Sequence, residues 1–558
     1  MNWLPDPLIS ILRTLQGSEG VWMVGGAVRD HLMGRDAYDL DFAVAGDALA
    51  LARKVADQLG GDYYDLDRER GAGRVLMPVQ GGRRQTLDFA VLRGADIHAD
   101  LLGRDFTIDA MAVRLSDAMR LIDPSGGLQD LRDRVLRACS PHAIQDDPVR
   151  SLRAVRMAVE LECRIERDTL RQLQAAADQL HLASPERVRD EFFRLLSFRQ
   201  PGRPIRLLDH LGLLTRVLPE LEPLRLVEQG DRHAYPALEH TLAVVDHLQV
   251  LLPLVAGEAP TSLLGPATER GIFDAFAAAG PRSEAEGVPG QGGPAGEKQQ
   301  DLAGNLIAAH AAHSLGRFRE LLSRHLARSL TQGRDLRQLL FLGALLHDSG
   351  KATTRTQEAD GRVRFIGHEQ AGAEAGVMRA KELRLSSAEE RRLRAIIAQH
   401  MRPSLLEKNQ PLDLRTIYRY WRKLGDVGLE IILLSLADLL GQYDPPVPQE
   451  RWLKRLSTSQ CLLEGYEQGI AQRQKSNPVI RGDRLAKALD LTPGPQIGTL
   501  LELILEAQAA GEVSTEAEAI ALGRSFLLDR ESGIESAESG EARALPGEEE
   551  SVGPRGKE

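Results

Sequence analysis

The sequence predicts an α+β protein, with an α/β head over residues 1–145 followed by a long all-helical body. Three observations lead to that expectation. Short apolar runs alternate with helical patterns up to about residue 145. A Gly25-Gly26 turn joins the first apolar run to a helical stretch. From Pro148 on, apolar residues recur at helical spacing, as in Leu152, Val155 and Val159 or Phe192, Leu195 and Leu196.

In chain order, a helical lead-in precedes the strand Val21–Val24, the glycine turn and a helix from Ala27. The strand Tyr38–Val44 and a helix near Asp47–Leu59 come next, then strands around Val75–Val79 and Gln85–Leu92. A helix after Thr107 and the strand Met119–Ile122 complete the head. Two segments interrupt the helical half. Gly280–Gln300 is rich in Gly, Pro and Glu without periodicity and reads as a mobile insert within about 279–300. Residues 529–558, rich in Glu, Ser and Gly, read as a disordered acidic tail. No internal repeat is found.

At 558 residues the chain exceeds one ordinary core and suggests roughly three or four domains. No apolar run approaches the ~18–20 residues of a membrane helix, so no membrane partner is expected. The N-terminus, Met1-Asn2-Trp3-Leu4-Pro5-Asp6, lacks the basic and apolar regions of a signal peptide. Cys139, Cys163 and Cys461 are too scattered for a disulfide framework or a thiolate zinc site, and a cytoplasmic protein is expected. The formal net charge of −10 argues against a nucleic-acid partner, because phosphates attract Lys and Arg. Much of that charge sits in the tail, however. Arg150, Arg153, Arg156, Arg187, Arg189 and Arg194 make the stretch after the head strongly basic.

The chemistry of the head starts with Gly25-Gly26-Ala27-Val28-Arg29-Asp30 and Asp39-Leu40-Asp41. Strand residues two apart share a face, so Asp39 and Asp41 point the same way. Two adjacent carboxylates repel unless a cation lies between them, and hard Mg²⁺ suits such oxygen ligands. Gly25 and Gly26 precede a helix, where main-chain N–H groups and the helix dipole favour a phosphate, with Arg29 able to add a charge. Asp88 is a candidate third carboxylate. Taken singly, a Gly-Gly pair is most often a turn and an Asp-x-Asp a surface feature.

In strand–turn–helix–strand order, these residues resemble the head of the nucleotidyltransferase superfamily that includes CCA-adding enzymes and bacterial poly(A) polymerases. The fold implied is a polymerase-β-like head, a helical neck over 146–225, a helical body and a helical tail. Further motifs follow in the family's order. They are Arg104-Asp105-Phe106-Thr107-Ile108-Asp109, Ile122-Asp123-Pro124, Asp147-Pro148-Val149-Arg150, Leu152-Arg153-Ala154-Val155-Arg156 and Ser184–Glu191. The match is to the bacterial and eukaryotic class (class II) of tRNA nucleotidyltransferases and covers residues 20–200.

The resemblance implies that Asp39 and Asp41 hold two Mg²⁺ ions and that the RNA 3′-hydroxyl attacks the α-phosphate in line. Asp105 with Arg104 would read the ribose 2′-hydroxyl. Asp147 and Arg150 would pair with the base edge of CTP or ATP, the carboxylate accepting from the exocyclic amine. Arg153 and Arg156 would reach the triphosphate, although a solvated helix face is the plain reading of those arginines. Two positions depart from the family, Gly103 where an Arg is usual and Asp146 where a Glu is usual. The stretch from Asp88 to Arg104 is short. That shortness puts in doubt the flexible loop that many members use to switch from C to A.

A second constellation lies in the body: His240, His347-Asp348 followed by Ser349-Gly350-Lys351, His368, His400 and Asp438. Burying a His-Asp pair at the end of an apolar helix is costly without a partner, and a metal relieves the cost. The order resembles the HD phosphohydrolase superfamily. It implies a divalent metal on His240, His347, Asp348 and Asp438, and a second on His368 and His400. The HD-type span is 226–455, and 456–528 resembles the RNA-binding tail helices of CCA-adding enzymes, with Pro493-Gly494-Pro495 as a helix-start turn. The remaining histidines, such as His233, His310, His313 and His325, fit no spacing and read as surface. The expected activity is addition of C, A or both to the tRNA 3′ end. The alternatives are a poly(A) polymerase, an RNA-end phosphohydrolase working through the HD residues, and a non-enzymatic RNA-binding module.

Overall fold

The computed structural model describes residues 20–78, 84–114, 120–230, 234–256, 306–443, 447–469 and 478–538. The expected helical lead-in, the 280–300 insert, His233 and the last part of the tail lie outside these residues.

The strands are β1 (Val21–Val24), β2 (Asp39–Val44), β3 (Asp62–Asp67), β4 (Ala72–Leu76), β5 (Thr86–Val91), β6 (Ala112–Arg114) and β7 (Leu121–Ile122). They form one seven-stranded sheet in the order β3-β4-β5-β2-β1-β6-β7. β2 and β5 run parallel, and every other neighbouring pair is antiparallel. One face buries Met23, Leu40, Phe42, Val44, Val75, Leu87 and Phe89, with Ala27, Val28, Leu51 and Val55 of the Gly26–Leu32 and Ala48–Leu59 helices in the same core. The Phe42 and Phe89 rings stack there, 4.9 Å between centroids. Asp47 caps the Ala48–Leu59 helix by accepting from the Ala50 N–H, as its place in the sequence suggests. On the opposite face, Trp22, Val24 and Ala43 are covered by Ile97 and Leu101 of the Ile97–Leu102 helix.

Several expectations need correction. Strand β3 and the Ile97–Leu102 helix were not anticipated, and the strand sought at Val75–Val79 runs instead over Ala72–Leu76. Tyr63 and Tyr64 sit between aspartates on β3, an edge strand whose polarity hides its period. No helix follows Thr107. A single 3₁₀ turn, Thr107–Asp109, leads straight into β6. Phe106, Ile108 and Ala110 through Val113 are all buried, and a short, largely apolar stretch of this kind reads equally as helix or strand.

The chain divides into two compact units, Met1–Met401 with Leu433–Trp452, and Arg402–Ile432 with Leu453–Glu558. In the first unit, the Arg150–Glu160 and Pro185–Leu196 helices follow the head, the latter with Pro at its first turn. The Leu336–Leu346 and Ser387–Gln399 helices each start with a capping box, Asp335 with Gln338 and Ser386 with Glu389. The Ala237–Ala256 helix is long and apolar enough to cross a bilayer by length and composition, contrary to the expectation that no such run exists. Most of it is buried within the unit, and it carries Glu239, His240, Asp246 and His247. His325 is likewise not a surface residue, being buried with its ring nitrogen 3.2 Å from the Arg392 guanidinium.

In the second unit, the Leu414–Leu424 helix exposes Arg415 and Arg422 to Glu512 and Glu502. The Gly482–Ala488, Pro495–Ala509 and Glu516–Glu538 helices share a core of Leu485, Leu500, Ile504 and Ala519. Pro495 occupies the first turn of its helix, as the Pro-Gly-Pro motif suggests. The last helix continues to Glu538, past the start of the expected tail at Asp529. Glu-rich sequence with no proline before Pro546 permits that continuation.

Candidate functional site

The sheet face away from the main core, covered beside β1 by the Ile97–Leu102 helix and open over β5, β4 and β3, carries the carboxylates. Asp41 on β2 is the direct register partner of Asp88 on β5, and Asp39 stands opposite Thr86. Burial pushes the Asp41 carboxyl up to about 6, and the Asp88 carboxylate adds to the shift. Asp39 is exposed. The three thus lie together on one face, as the alternation of strand residues requires.

Gly25 follows β1 and takes the left-handed φ of 72°, which a side chain resists. A Cβ there would lie 3.2 Å from Arg104 Nη1 and 3.5 Å from Asp41 Oδ2. The turn, one carboxylate and one guanidinium therefore converge, with Gly26 opening the helix beside them. Arg104 is itself steadied by Asp100, 3.0 Å away.

The other sequence candidates are engaged differently. Arg29 does not face outward. It pairs with Asp109 at 2.6 Å and Asp30 at 2.8 Å, tying the glycine turn to the Thr107–Asp109 turn. Asp105 accepts from Arg153 Nη1 at 2.8 Å. Burial alone would raise its carboxyl, but the Arg153 guanidinium holds it below the usual carboxylate range. Arg156 is bound by Glu191 and Glu160, each at 2.9 Å. Arg153 and Arg156 are thus partners of carboxylates in this state, close to the plain reading of a helix face. Arg150 donates to the Ala143 carbonyl and lies 3.8 Å from Asp147, so this pair does stand side by side.

Four partners carried no assigned role in the sequence. Arg74 on β4 grips Asp88 with both ends of its guanidinium, at 2.8 and 2.7 Å. Arg187 grips Asp147 in the same way, at 3.0 and 2.6 Å. Asp109 holds Arg29, and Glu191 joins Arg153 and Arg156. Arg187, Glu191 and Asp109 lie inside quoted motifs, which was the available signal. Arg74 lies in none. Other motif residues prove architectural. Asp123 accepts from the Gly127 and Leu128 N–H groups, and Asp130 receives Thr107 Oγ1 and Arg137.

In the first unit's helical body, His240, His347 and Asp438 present donor atoms within 4.8 Å of one another, as do Asp348, His368 and His400. All six side chains are buried. Each imidazole Nδ1 meets a main-chain carbonyl: His240 with Gly441, His347 with Ala344, His368 with Phe365 and His400 with Ile397, at 2.7–3.0 Å. Nδ1–H donation fixes the tautomer and turns each Nε2 lone pair inward. Asp348 lies between the two groups. Its Oδ2 is 3.3 and 3.2 Å from His240 and His347, and its Oδ1 is 3.4 and 3.9 Å from His368 and His400.

Burial depresses the charge of His240, yet the Asp348 and Asp438 carboxylates outweigh it and push the ring up to about 9. Burial, with His347 adding, drives His400 down to about 3. Four imidazoles and two carboxylates facing one another form a donor set that fits transition-metal or zinc-type cations. Lys351, quoted from the sequence without a role, sits 2.7 Å from Asp348 Oδ2 and donates to Gln229.

Known proteins match this arrangement. Residues 21–137 match the model of the poly A polymerase head domain, and 163–224 that of the probable RNA- and SrmB-binding site of polymerase A. Residues 311–440 match the HD domain. A CC-adding tRNA nucleotidyltransferase of Thermus thermophilus is 31% identical over 93% of this chain and 95% of its own length. An A-adding tRNA nucleotidyltransferase of Deinococcus radiodurans is also 31% identical, over 90% of this chain and 94% of its own. The fold is similar to that of the Thermotoga maritima CCA-adding enzyme complexed with tRNA, with a TM-score of 0.53 at 19% identity over 94% of this chain and 97% of that one.

Proposed function

The chain belongs to the tRNA nucleotidyltransferase family, and we propose that it adds C or A from CTP or ATP to the tRNA 3′ end. The observation that carries this reading is the Asp41–Asp88 pair, with Asp39 beside it and the Gly25–Gly26 turn at its edge. Asp39 and Asp41 would hold Mg²⁺, since hard oxygen donors and a carboxyl raised by burial and by the neighbouring Asp88 carboxylate suit that cation. Bound there, Mg²⁺ supplies charge neutralisation for the phosphates and acidifies the attacking hydroxyl.

The protein's own groups do the positioning. Gly26, at the helix start, would offer its main-chain N–H to the triphosphate, the Gly25 N–H being donated to the Met111 carbonyl, and Arg104 adds its cation against the same turn. Asp147 and Arg150 meet the base edge, with Arg187 orienting the Asp147 carboxylate. Asp105 reads the ribose from its pair with Arg153. The RNA 3′-oxygen bonds to the α-phosphorus, the bond to the β-phosphate breaks, pyrophosphate leaves and the hydroxyl proton passes to solvent.

Part of the CCA sequence, rather than all of it, is the expected product. Only residues 92–96 join β5 to the Ile97–Leu102 helix, and they are fastened at both ends. Leu92 N–H donates to Val44, Arg93 N–H donates to Asp100, and Asp96 caps the helix. That leaves no slack there for a switching loop. The free thiols Cys139, Cys163 and Cys461 accord with a cytoplasmic place of work.

The buried imidazole–carboxylate cage favours a second, metal-dependent phosphohydrolase activity on His240, His347, Asp348, His368, His400 and Asp438. Purified protein given tRNA transcripts ending before CCA, after C and after CC, with CTP, ATP or both, tests the main reading. Addition of CC alone, or of A onto the CC end, supports a partial adder. Completion to CCA from the shortest transcript overturns the partial reading. Unlimited A on any RNA makes the enzyme a poly(A) polymerase.

A further inference from the structure

The open face of the head continues beyond the carboxylates. Register places Asp41 (β2), Asp88 (β5), Arg74 (β4) and Tyr64 (β3) in one row across four strands. Directly paired strand residues point to the same side, so all four project from the open face. Val24 of β1 completes the row on the other side of Asp41, next to the Gly25 turn. The order across the sheet is therefore phosphate turn, Asp41, Asp88, Arg74, Tyr64.

In-line displacement needs the attacking oxygen opposite the leaving pyrophosphate. With the triphosphate anchored at the Gly25 side, the acceptor RNA must arrive over Asp88 from the β4–β3 side. The side chains there suit an RNA end. The Arg74 side chain is 41% exposed even while it grips Asp88. Tyr64 is 51% exposed on an edge strand, so its ring face is accessible for stacking. Asp62, next on this face, is neutralised by Arg84 at 3.3 Å, so the strip is not acidic. Strands lie about 4.8 Å apart, which puts Arg74 and Tyr64 roughly 5 and 10 Å from Asp88, a reach of one to two nucleotides.

We propose that Arg74 and Tyr64 seat the 3′-terminal nucleotides of the acceptor RNA, Arg74 on a phosphodiester and Tyr64 stacked on a base. The inference rests on the nucleotidyltransferase reading above. Stacking on an exposed aromatic ring tolerates any base, and that suits an acceptor whose end changes as nucleotides are added. Loosening of Arg74 from Asp88 when a phosphate competes for it then couples RNA arrival to release of the third carboxylate.

Steady-state kinetics of full-length Tyr64→Ala, Tyr64→Phe, Arg74→Ala and Arg74→Lys, with a tRNA transcript and its nucleotide, tests the proposal. Wild-type incorporation is the control for the parent reading, and its absence sinks that reading rather than this one. The expected result is a KM for RNA raised about tenfold in Tyr64→Ala, from a stacking loss of ~1–3 kcal/mol, with the nucleotide KM unchanged. Tyr64→Phe keeps the ring and should behave as wild type. Arg74→Ala should raise the RNA KM and flatten its salt dependence by about one ion, and Arg74→Lys should restore most of both. Unchanged RNA KM in Tyr64→Ala overturns the proposal. So does an Arg74→Ala defect confined to kcat, which assigns Arg74 to holding Asp88 alone.

Discussion

Asp41 and Asp88 stand directly opposite one another on the parallel strands β2 and β5, and burial keeps the Asp41 carboxyl protonated up to about pH 6. The sign follows from that elevation. The neutral form is favoured in the folded, metal-free protein, so this group's contribution to stability is present below the ordinary value of 3.8 and is lost as pH rises through about 6. A bound cation needs the ionised form. Mg²⁺ affinity of the head should therefore fall as pH drops below about 6, by about tenfold per unit. Calorimetric titration with Mg²⁺ across that range checks it, and Asp41→Asn should abolish the dependence.

The position of Asp348 between the two imidazole groups would make two metals bound there interdependent. Metal analysis of Asp348→Ala should find both positions depleted, whereas His368→Ala should lose one metal and keep the other. Equal loss in the two variants would mean a single metal.

Arg187 donates to both oxygens of Asp147 and fixes the plane of that carboxylate, whose remaining lone pairs can still accept from a base amine. Arg187→Ala removes a charge-assisted bidentate contact of about 1.5–3 kcal/mol that orients the carboxylate. The ratio of kcat/KM for the preferred nucleotide over its competitors should drop about tenfold, while the RNA KM stays put. Competition assays among the four nucleotides measure it.

Within the head, Gly127 packs so closely on the Thr107–Asp109 turn that a Cβ would meet the Thr107 carbonyl oxygen at 2.1 Å. Gly127→Ala should destabilise the protein by about 1–3 kcal/mol through overpacking of backbone against backbone. A denaturant midpoint shift at unchanged slope is the readout.

The sequence made the local features legible where a few residues determine the backbone. The Gly25-Gly26 pair forms the turn between strand and helix, and Asp39 and Asp41 share a face because strands alternate. The six buried histidines and aspartates of the body were readable as a set because so many polar groups in apolar helices need a common partner. What could not be read was pairing across distance. Arg74 meets Asp88 only because β4 and β5 are antiparallel neighbours, and Arg187 meets Asp147 through the packing of two helices. The same limit hid the ion pairs of Arg29, Arg153 and Arg156, whose carboxylate partners Asp109, Asp105 and Glu191 come from other segments. Strand β3 escaped because an edge strand facing solvent carries no apolar alternation.

The central claim is that the Asp39 and Asp41 carboxylates drive nucleotide addition. Incorporation of labelled CTP or ATP into tRNA transcripts by wild type and by the double variant Asp39→Ala, Asp41→Ala tests it most directly. Loss of the cation seat removes several kcal/mol of transition-state stabilisation, so incorporation should fall by about a thousandfold or more, with any HD-dependent phosphatase activity unchanged. Incorporation persisting at the wild-type rate in the double variant would contradict the assignment of the head as the catalytic centre.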